Sequence, residues 1–324
     1  MLGEQPDGTF RVEKILPYVV EQTEIADHDK WLEERKTCVG GSEGSIVIGV
    51  NPWKSPYALW AEKTGKVKPD DLSGVEAVEW GTLLEEPVAR KYSAVTGRRL
   101  CRPVGAINGV LRHPEYPFIG GTPDRMIIDA DGKQIGVLEI KTTGAHHASD
   151  WTDEPPVYYQ TQGMQYAAIT GVDLVSFAVL IGGQKFHWCD MPRNDRFISY
   201  LIEKLEEFWS YVQRDVPPPV DSSKSTAEAI ARLYATPDEN AEPVILDFEF
   251  AEKAERRREL NQIIKDAEAE KLGIDNAIKA ALGESVFGYM PDGSGFSWKK
   301  QHRGSYVVAA ADFRVLREIK VKKG

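Results

Sequence analysis

The chain has 324 residues, enough for one large domain or a domain with an appendage, and a formal charge of −10. That balance argues against a protein that coats nucleic acid by bulk positive charge, though not against an enzyme with a locally positive channel. Three scattered cysteines, Cys38, Cys101 and Cys189, with no C-x-x-C pair, argue against a disulfide framework, a cysteine zinc site or a four-cysteine iron–sulfur cluster.

Residues 1–10 lack the basic start and apolar run of a signal peptide, and no stretch approaches the ~18 apolar residues that span a bilayer. A reducing, cytoplasmic setting without membrane contact is expected. Residues 27–36, DHDKWLEERK, read as a short helix broken by Gly40-Gly41, after which Ser42 stands as the cap of a second helix over 42–49. In 55–65, SPYALWAEKTG, a capping serine, a proline at the first helical position and a closing glycine give a strong helix signal. A further helix is expected over 82–96, ending at Gly97. Trp53, Trp60 and Trp80 read as core anchors.

From residue 117 the hydrophobic period changes to two. FIGGTPDRMIID and KQIGVLEIKTT flank Asp131-Gly132, which reads as a two-residue hairpin turn. Residues 156–170 return to helix. A second hairpin turns on Gly182-Gly183, and 194–213 is a long amphipathic helix starting at an asparagine cap. These elements predict an α/β fold with a central, mainly antiparallel sheet flanked by helices, over 1–215. The proline-rich 216–220 marks a boundary, with 216–245 as linker. Residues 246–324 form a C-terminal extension of a long charged helix, a hairpin and a tail. Eight Lys/Arg against two acids make 296–324 the most basic stretch.

In V-L-E-I-K the alternation sends Leu138 and Ile140 to one face and Glu139 and Lys141 to the other. With a two-residue turn at Asp131-Gly132, Asp124 falls directly across from Glu139, roughly 5 Å apart at Cβ. A three-residue loop would break that register. Two facing anions repel, so a purely structural sheet should avoid them. A divalent cation between them removes the penalty, and oxygen ligands suit Mg²⁺ or Mn²⁺. The bland alternative makes Glu139 and Lys141 a solvated outer face.

P123-D124 followed by E139-I140-K141 resembles the PD-(D/E)xK nuclease signature. W31-L32-E33-E34-R35, G40-G41-S42-E43, G49-V50-N51-P52-W53-K54-S55-P56-Y57-A58-L59-W60 and W80-G81-T82-L83-L84-E85 are similar to the YqaJ-type viral recombinases, the family of the phage lambda exonuclease. The resemblance runs in order over about 30–210. It implies a restriction-endonuclease-like core and an exonuclease digesting duplex DNA from 5′-phosphorylated ends, leaving 3′ single strands for an annealing protein. It also implies a ring-shaped homotrimer and two Mg²⁺ ions, with Mn²⁺ able to substitute.

Residue by residue, the resemblance makes Asp124, Glu139, the Ile140 carbonyl and Glu85 the metal ligands, and gives Lys141 the attacking water. Arg35, Ser42, Thr122 and Gln162 fall where the family binds a 5′-phosphate, and Gln162 and Tyr166 match a Q-x-x-x-Y helix element. The E85-E86-P87 sequence departs from the family pattern and leaves Glu86 as a rival to Glu85, whose bland role is a capping box with Thr82. Gln160 and Gln165 likewise compete with Gln162. Trp151, in the loop after the LEIK strand, is a candidate DNA contact, whereas the adjacent His146 and His147 make a poor metal site. An endonuclease of the same fold and an inactive binding module are the alternative readings.

Overall fold

The computed structural model describes residues 3–4, 10–11 and 28–319, except 73, 104–108, 153, 306, 308, 309 and 311. The chain divides into two units, Met1–Ala235 and Thr236–Gly324.

The first unit opens with a short antiparallel pair, β1 (Gly3–Glu4) and β2 (Phe10–Arg11), followed by α1 (His28–Lys36). A 3-10 turn over Gly41–Glu43 leads into α2 (Gly44–Val47). The cap of that turn is Gly40, not Ser42, and the Gly40 N–H donates to Glu43 Oε2 at 2.6 Å. The Glu43 carboxylate thus holds the cap residue's own N–H, and no side chain caps the turn in the way expected of the serine. In α3 (Pro56–Lys63) Ser55 accepts the Ala58 N–H and Pro56 takes the first position, as the sequence predicts. α4 (Glu76–Thr96) begins six residues earlier than expected, because Thr82 does not cap it but bonds back to the Val78 carbonyl.

Five strands form the sheet: β3 (Arg99–Cys101), β6 (Arg125–Ile128), β7 (Gln134–Thr143), β8 (Leu174–Ile181) and β9 (Lys185–Pro192), in that order across it. A separate small pair joins β4 (Leu111–Arg112) to β5 (Gly120–Gly121). Only β7 and β8 run parallel, since α5 (Val157–Thr170) crosses over between them. The sheet is thus mixed and mainly antiparallel, flanked by helices, as expected.

Alternation along the strands builds two cores. Val137, Val175, Phe177 and Val179 face α2, α3, α5 and α6 (Asp195–Arg214); Leu138, Ile140 and Ala178 face Val88, Ala89 and Tyr92 of α4. The predicted helix cap of α6, Asn194, accepts the Phe197 N–H at 3.0 Å.

The β6–β7 connection departs from the two-residue turn. Asp129 and Lys133 close a three-residue loop, with Asp129 Oδ1 accepting the Asp131 and Lys133 N–H groups and Gly132 at φ 85°. A loop of that length would shift the register by one. A bulge cancels the shift: Ile128 pairs with Gln134, but Ile127 pairs with Gly136, leaving Ile135 without a partner on β6. Beyond it Arg125 pairs with Leu138, so Asp124 and Glu139 share a face as predicted.

The stretch expected as a linker contains α7 (Lys224–Leu233), which packs on α3 through Thr226 Oγ1 to Ser55 Oγ at 2.8 Å and through buried Ala229. The second unit consists of α8 (Phe248–Leu282), a 35-residue helix with no buried residue, and the hairpin of β10 (Phe287–Tyr289) and β11 (Gly295–Ser297).

Candidate active site

Where β7 passes β6 and α5, a cavity of about 240 Å³ opens. Asp124, Glu139, Lys141, Gln162 and Tyr166 line it together with Arg35, Ser42 and Thr122. Glu139 and Lys141 come from β7 and Gln162 and Tyr166 from α5, with Asp124 directly before β6.

Glu139 is buried, with 2% of its surface exposed. Its Oε1 accepts from Lys141 Nζ at 2.6 Å and from Gln162 Nε2 at 2.7 Å, while Oε2 is buried with no hydrogen-bond partner. Asp124 Oδ2 accepts the Ile140 N–H at 2.6 Å, which fixes the aspartate at the open end of the β6–β7 ladder. Burial pushes both carboxyls above their ordinary range; Asp124 is shifted furthest, since the Glu139 charge adds to the effect and Lys141 only partly offsets it. For Lys141 burial favours the neutral amine, but Glu139 and Asp124 prevail and hold it firmly protonated. Its ammonium also lies 4.7 Å from the centre of the Tyr159 ring, a contact the sequence did not suggest.

Gln162 is the glutamine of the site. Its Nε2 reaches Tyr166 Oη at 2.9 Å, and that hydroxyl donates to the Thr122 carbonyl at 3.2 Å, realising the i, i+4 pairing. Gln165 instead ties the Val39 and Gly120 carbonyls, and Gln160 folds onto the Pro155 carbonyl at the helix start. Tyr166 fits only because Gly41 and Gly121 lack side chains; a Cβ on Gly41 would stand 2.2 Å from Tyr166 Cε1. Arg35 lies over the Trp31 ring, 4.7 Å from its centre, and the Thr122 hydroxyl donates to the Gly109 carbonyl.

Glu85 is drawn away from the pair. It is bonded to the buried Arg125 guanidinium, which also reaches Glu86 Oε2 at 3.1 Å. Glu86 pairs with Arg90 at 2.8 Å, as expected from their spacing. Among the described residues no three His, Cys, Asp or Glu side chains gather closely enough to hold a metal. The Glu85 charge still bears on both Asp124 and Glu139. Arg125 was missed because a charged residue in PDRMII looks like a turn residue. Its pairing with Leu138 turns it toward α4 instead.

Of the tryptophans, Trp60 is a core anchor at 2% exposure, but Trp53 and Trp80 are exposed at 66% and 57%. Trp151 is the reverse, buried in the main core at 4% and so not placed to touch DNA.

Residues 30–173 match the YqaJ-like viral recombinase domain. The chain is 34% identical to the YqaJ protein of Bacillus subtilis (strain 168) over 266 residues, 81% of this chain and 80% of that one. The chain belongs to the YqaJ-like viral recombinase family. A shorter likeness, 44% over 57 residues, links this YqaJ-like chain to protein D345L of African swine fever virus (strain Badajoz 1971 Vero-adapted), covering 18% and 16% of the two. Among solved structures it is similar to an alkaline exonuclease of Laribacter hongkongensis, with a TM-score of 0.47, 19% identity and coverage of 58% and 93% of the two chains.

Proposed function

We propose that this protein is a Mg²⁺-dependent exonuclease that digests one strand of duplex DNA from a 5′-phosphorylated end toward the 3′ end, leaving 3′ single-stranded overhangs. The observation that carries the reading is the orphaned Oε2 of buried Glu139, facing Asp124 beside a protonated Lys141. A buried carboxylate oxygen without a donor is satisfied by a proton or by a cation, and Mg²⁺ accepts a site of one or two carboxylates completed by water. Asp124, Glu139 and the Ile140 carbonyl would hold it. Glu85 is the remaining candidate, toward a second ion, and would have to exchange Arg125 for the metal. Bound there, a divalent ion lowers the pKa of water and offsets charge on the scissile phosphate; Mn²⁺, with the same ligand preference, should substitute.

The chain's own residues do the rest. Gln162 and Lys141 fix Glu139 in one orientation, and the Lys141 ammonium offers charge to a phosphate oxygen. Arg35 presents its guanidinium on the Trp31 ring, in the same cavity as Ser42 and Thr122, suited to fork onto a terminal phosphate. Family membership supports a role in recombination, with a single-strand annealing protein as partner and a homotrimeric ring as the working form. The ring would keep on DNA a chain whose charge of −10 cannot hold it there.

Linear duplexes bearing 5′-phosphate or 5′-hydroxyl ends, with each strand labelled, test this in Mg²⁺ and in EDTA. We expect Mg²⁺-dependent loss of the 5′ label first, faster from phosphorylated ends. Loss of the 3′ label first would overturn the polarity, indifference to the end group would overturn the phosphate pocket, and cutting of closed circles would favour an endonuclease.

A further inference from the structure

Trp53 is held on two sides by contacts that lead back to residues of the active-site cavity, yet most of it is left in solvent. On one side Asn51 Oδ1 accepts the Trp53 and Lys54 N–H groups at 2.9 and 3.0 Å. Asn51 Nδ2 donates to Ser45 Oγ at 3.2 Å, and Ser45 Oγ donates to the carbonyl of Ser42, a cavity residue, at 3.0 Å. On the other side the Trp53 indole meets Tyr158 edge-on with centres 5.0 Å apart, and Tyr158 meets Tyr159 at 4.4 Å. Tyr159 in turn lies under the Lys141 ammonium, 4.7 Å away. A row of three rings therefore leads from Lys141 to an indole that is 66% exposed.

A tryptophan serving only as packing would bury its large apolar surface. Here the turn is immobilised by the Asn51 bonds, and the near-perpendicular contact with Tyr158 still leaves 66% of Trp53 exposed. A rigid ring costs little entropy on binding, and every base offers a π-face to it, so such a platform tolerates any sequence.

Resting on the nuclease reading above, we propose that Trp53, backed by Tyr158, is a stacking platform for an unpaired nucleobase of the DNA strand whose backbone enters the Asp124–Glu139 cavity. It binds the substrate without touching the reacting atoms.

Steady-state hydrolysis tests it on 5′-phosphorylated linear duplexes whose terminal nucleotides carry either normal bases or abasic sites. Wild type, Trp53→Ala and Trp53→Phe are compared in Mg²⁺. On base-bearing ends Trp53→Ala should raise KM roughly ten-fold, in line with the strength of base–aromatic stacking, with kcat within about two-fold. Trp53→Phe, which keeps a ring, should restore most of the loss. On abasic ends the wild type and Trp53→Ala should converge. An equal KM change on both kinds of end would make Trp53 a packing residue and overturn the inference, as would no change on either. If the wild type cleaves neither duplex, the nuclease reading itself fails and this inference with it; if it cleaves and only the Trp53 comparison fails, the nuclease reading stands.

Discussion

At Glu139 the demands of stability and of the proposed chemistry oppose each other. Its folded pKa is raised, by burial first, so relative to the unfolded chain the native state binds a proton more tightly. Stability from this group is full below the unfolded value of about 4.3 and declines as pH rises through the folded one. Glu139→Gln removes that penalty while keeping an oxygen for Lys141 and Gln162. In EDTA at neutral pH the variant should therefore gain about 1 kcal/mol in urea unfolding, yet lose at least ~100-fold in DNA hydrolysis. A variant both less stable and fully active would remove Glu139 from the site. Gly41→Ala acts by sterics alone. Its Cβ would meet Tyr166 at 2.2 Å, so Tyr166 and its partner Gln162 must move. We expect a loss of about 1–3 kcal/mol, and reduced activity through the displaced Gln162.

Among the elements, the β6–β7 hairpin shows what local sequence can and cannot reveal. The facing of Asp124 and Glu139 was reached from a two-residue turn; the chain has instead a three-residue loop whose shift the bulge at Ile135 cancels, and neither of those was legible in the alternation. The cavity partners Gln162 and Tyr166 were legible through the family resemblance together with their spacing on one helix. Arg125 was not, since nothing in PDRMII says that α4 will offer two glutamates to the other face. Trp53 was misread because N-P-W before a helix resembles core entry, and only the packed structure shows that its ring stays outside. The influence of Glu85 on both carboxylates gives an element-level prediction: Glu85→Gln should depress hydrolysis at least ten times more than Glu86→Gln, measured side by side. Across the sheet, Arg98 forks onto Asp190 of β9 at 2.7 and 2.5 Å. Burial would raise the Asp190 carboxyl, but Arg98 and Ser176 outweigh it and hold it below its ordinary range. That contribution is present above the unfolded value near 3.9 and is lost as pH falls through the lower, folded one. Arg98→Ala should flatten the decline of the urea midpoint below about pH 4; an unchanged slope would deny Asp190 a role in it.

For the whole molecule, the effective edge of the first unit is Ala235 rather than residue 215. The proline-rich 216–220 looked like an exit, because composition reports stiffness and turns but not what a following helix packs against. Truncation after Ala235 should leave the thermal midpoint within about 3 °C of the full chain, whereas truncation after Asp215 strips α7 from α3 and should lower it by roughly 5 °C or more. Equal midpoints would mean that α7 contributes nothing to this unit. The bulge at Ile135 also bears on how this gene can change. Residues 130–132 lie in an exposed loop, where gain or loss of a codon can be taken up locally. Loss of the single codon for Ile135 can be taken up as well: Gln134 and Gly136 would become neighbours and keep Ile128 and Ile127 as partners, so Arg125 would still pair with Leu138 and both charges would keep their face. A second loss would find no bulge left to absorb it, and Leu138 and Ile140 would then exchange faces with Glu139 and Lys141, putting both charges into the apolar core against α4. Length variation among descendants should therefore concentrate between residues 130 and 135, the bulge included.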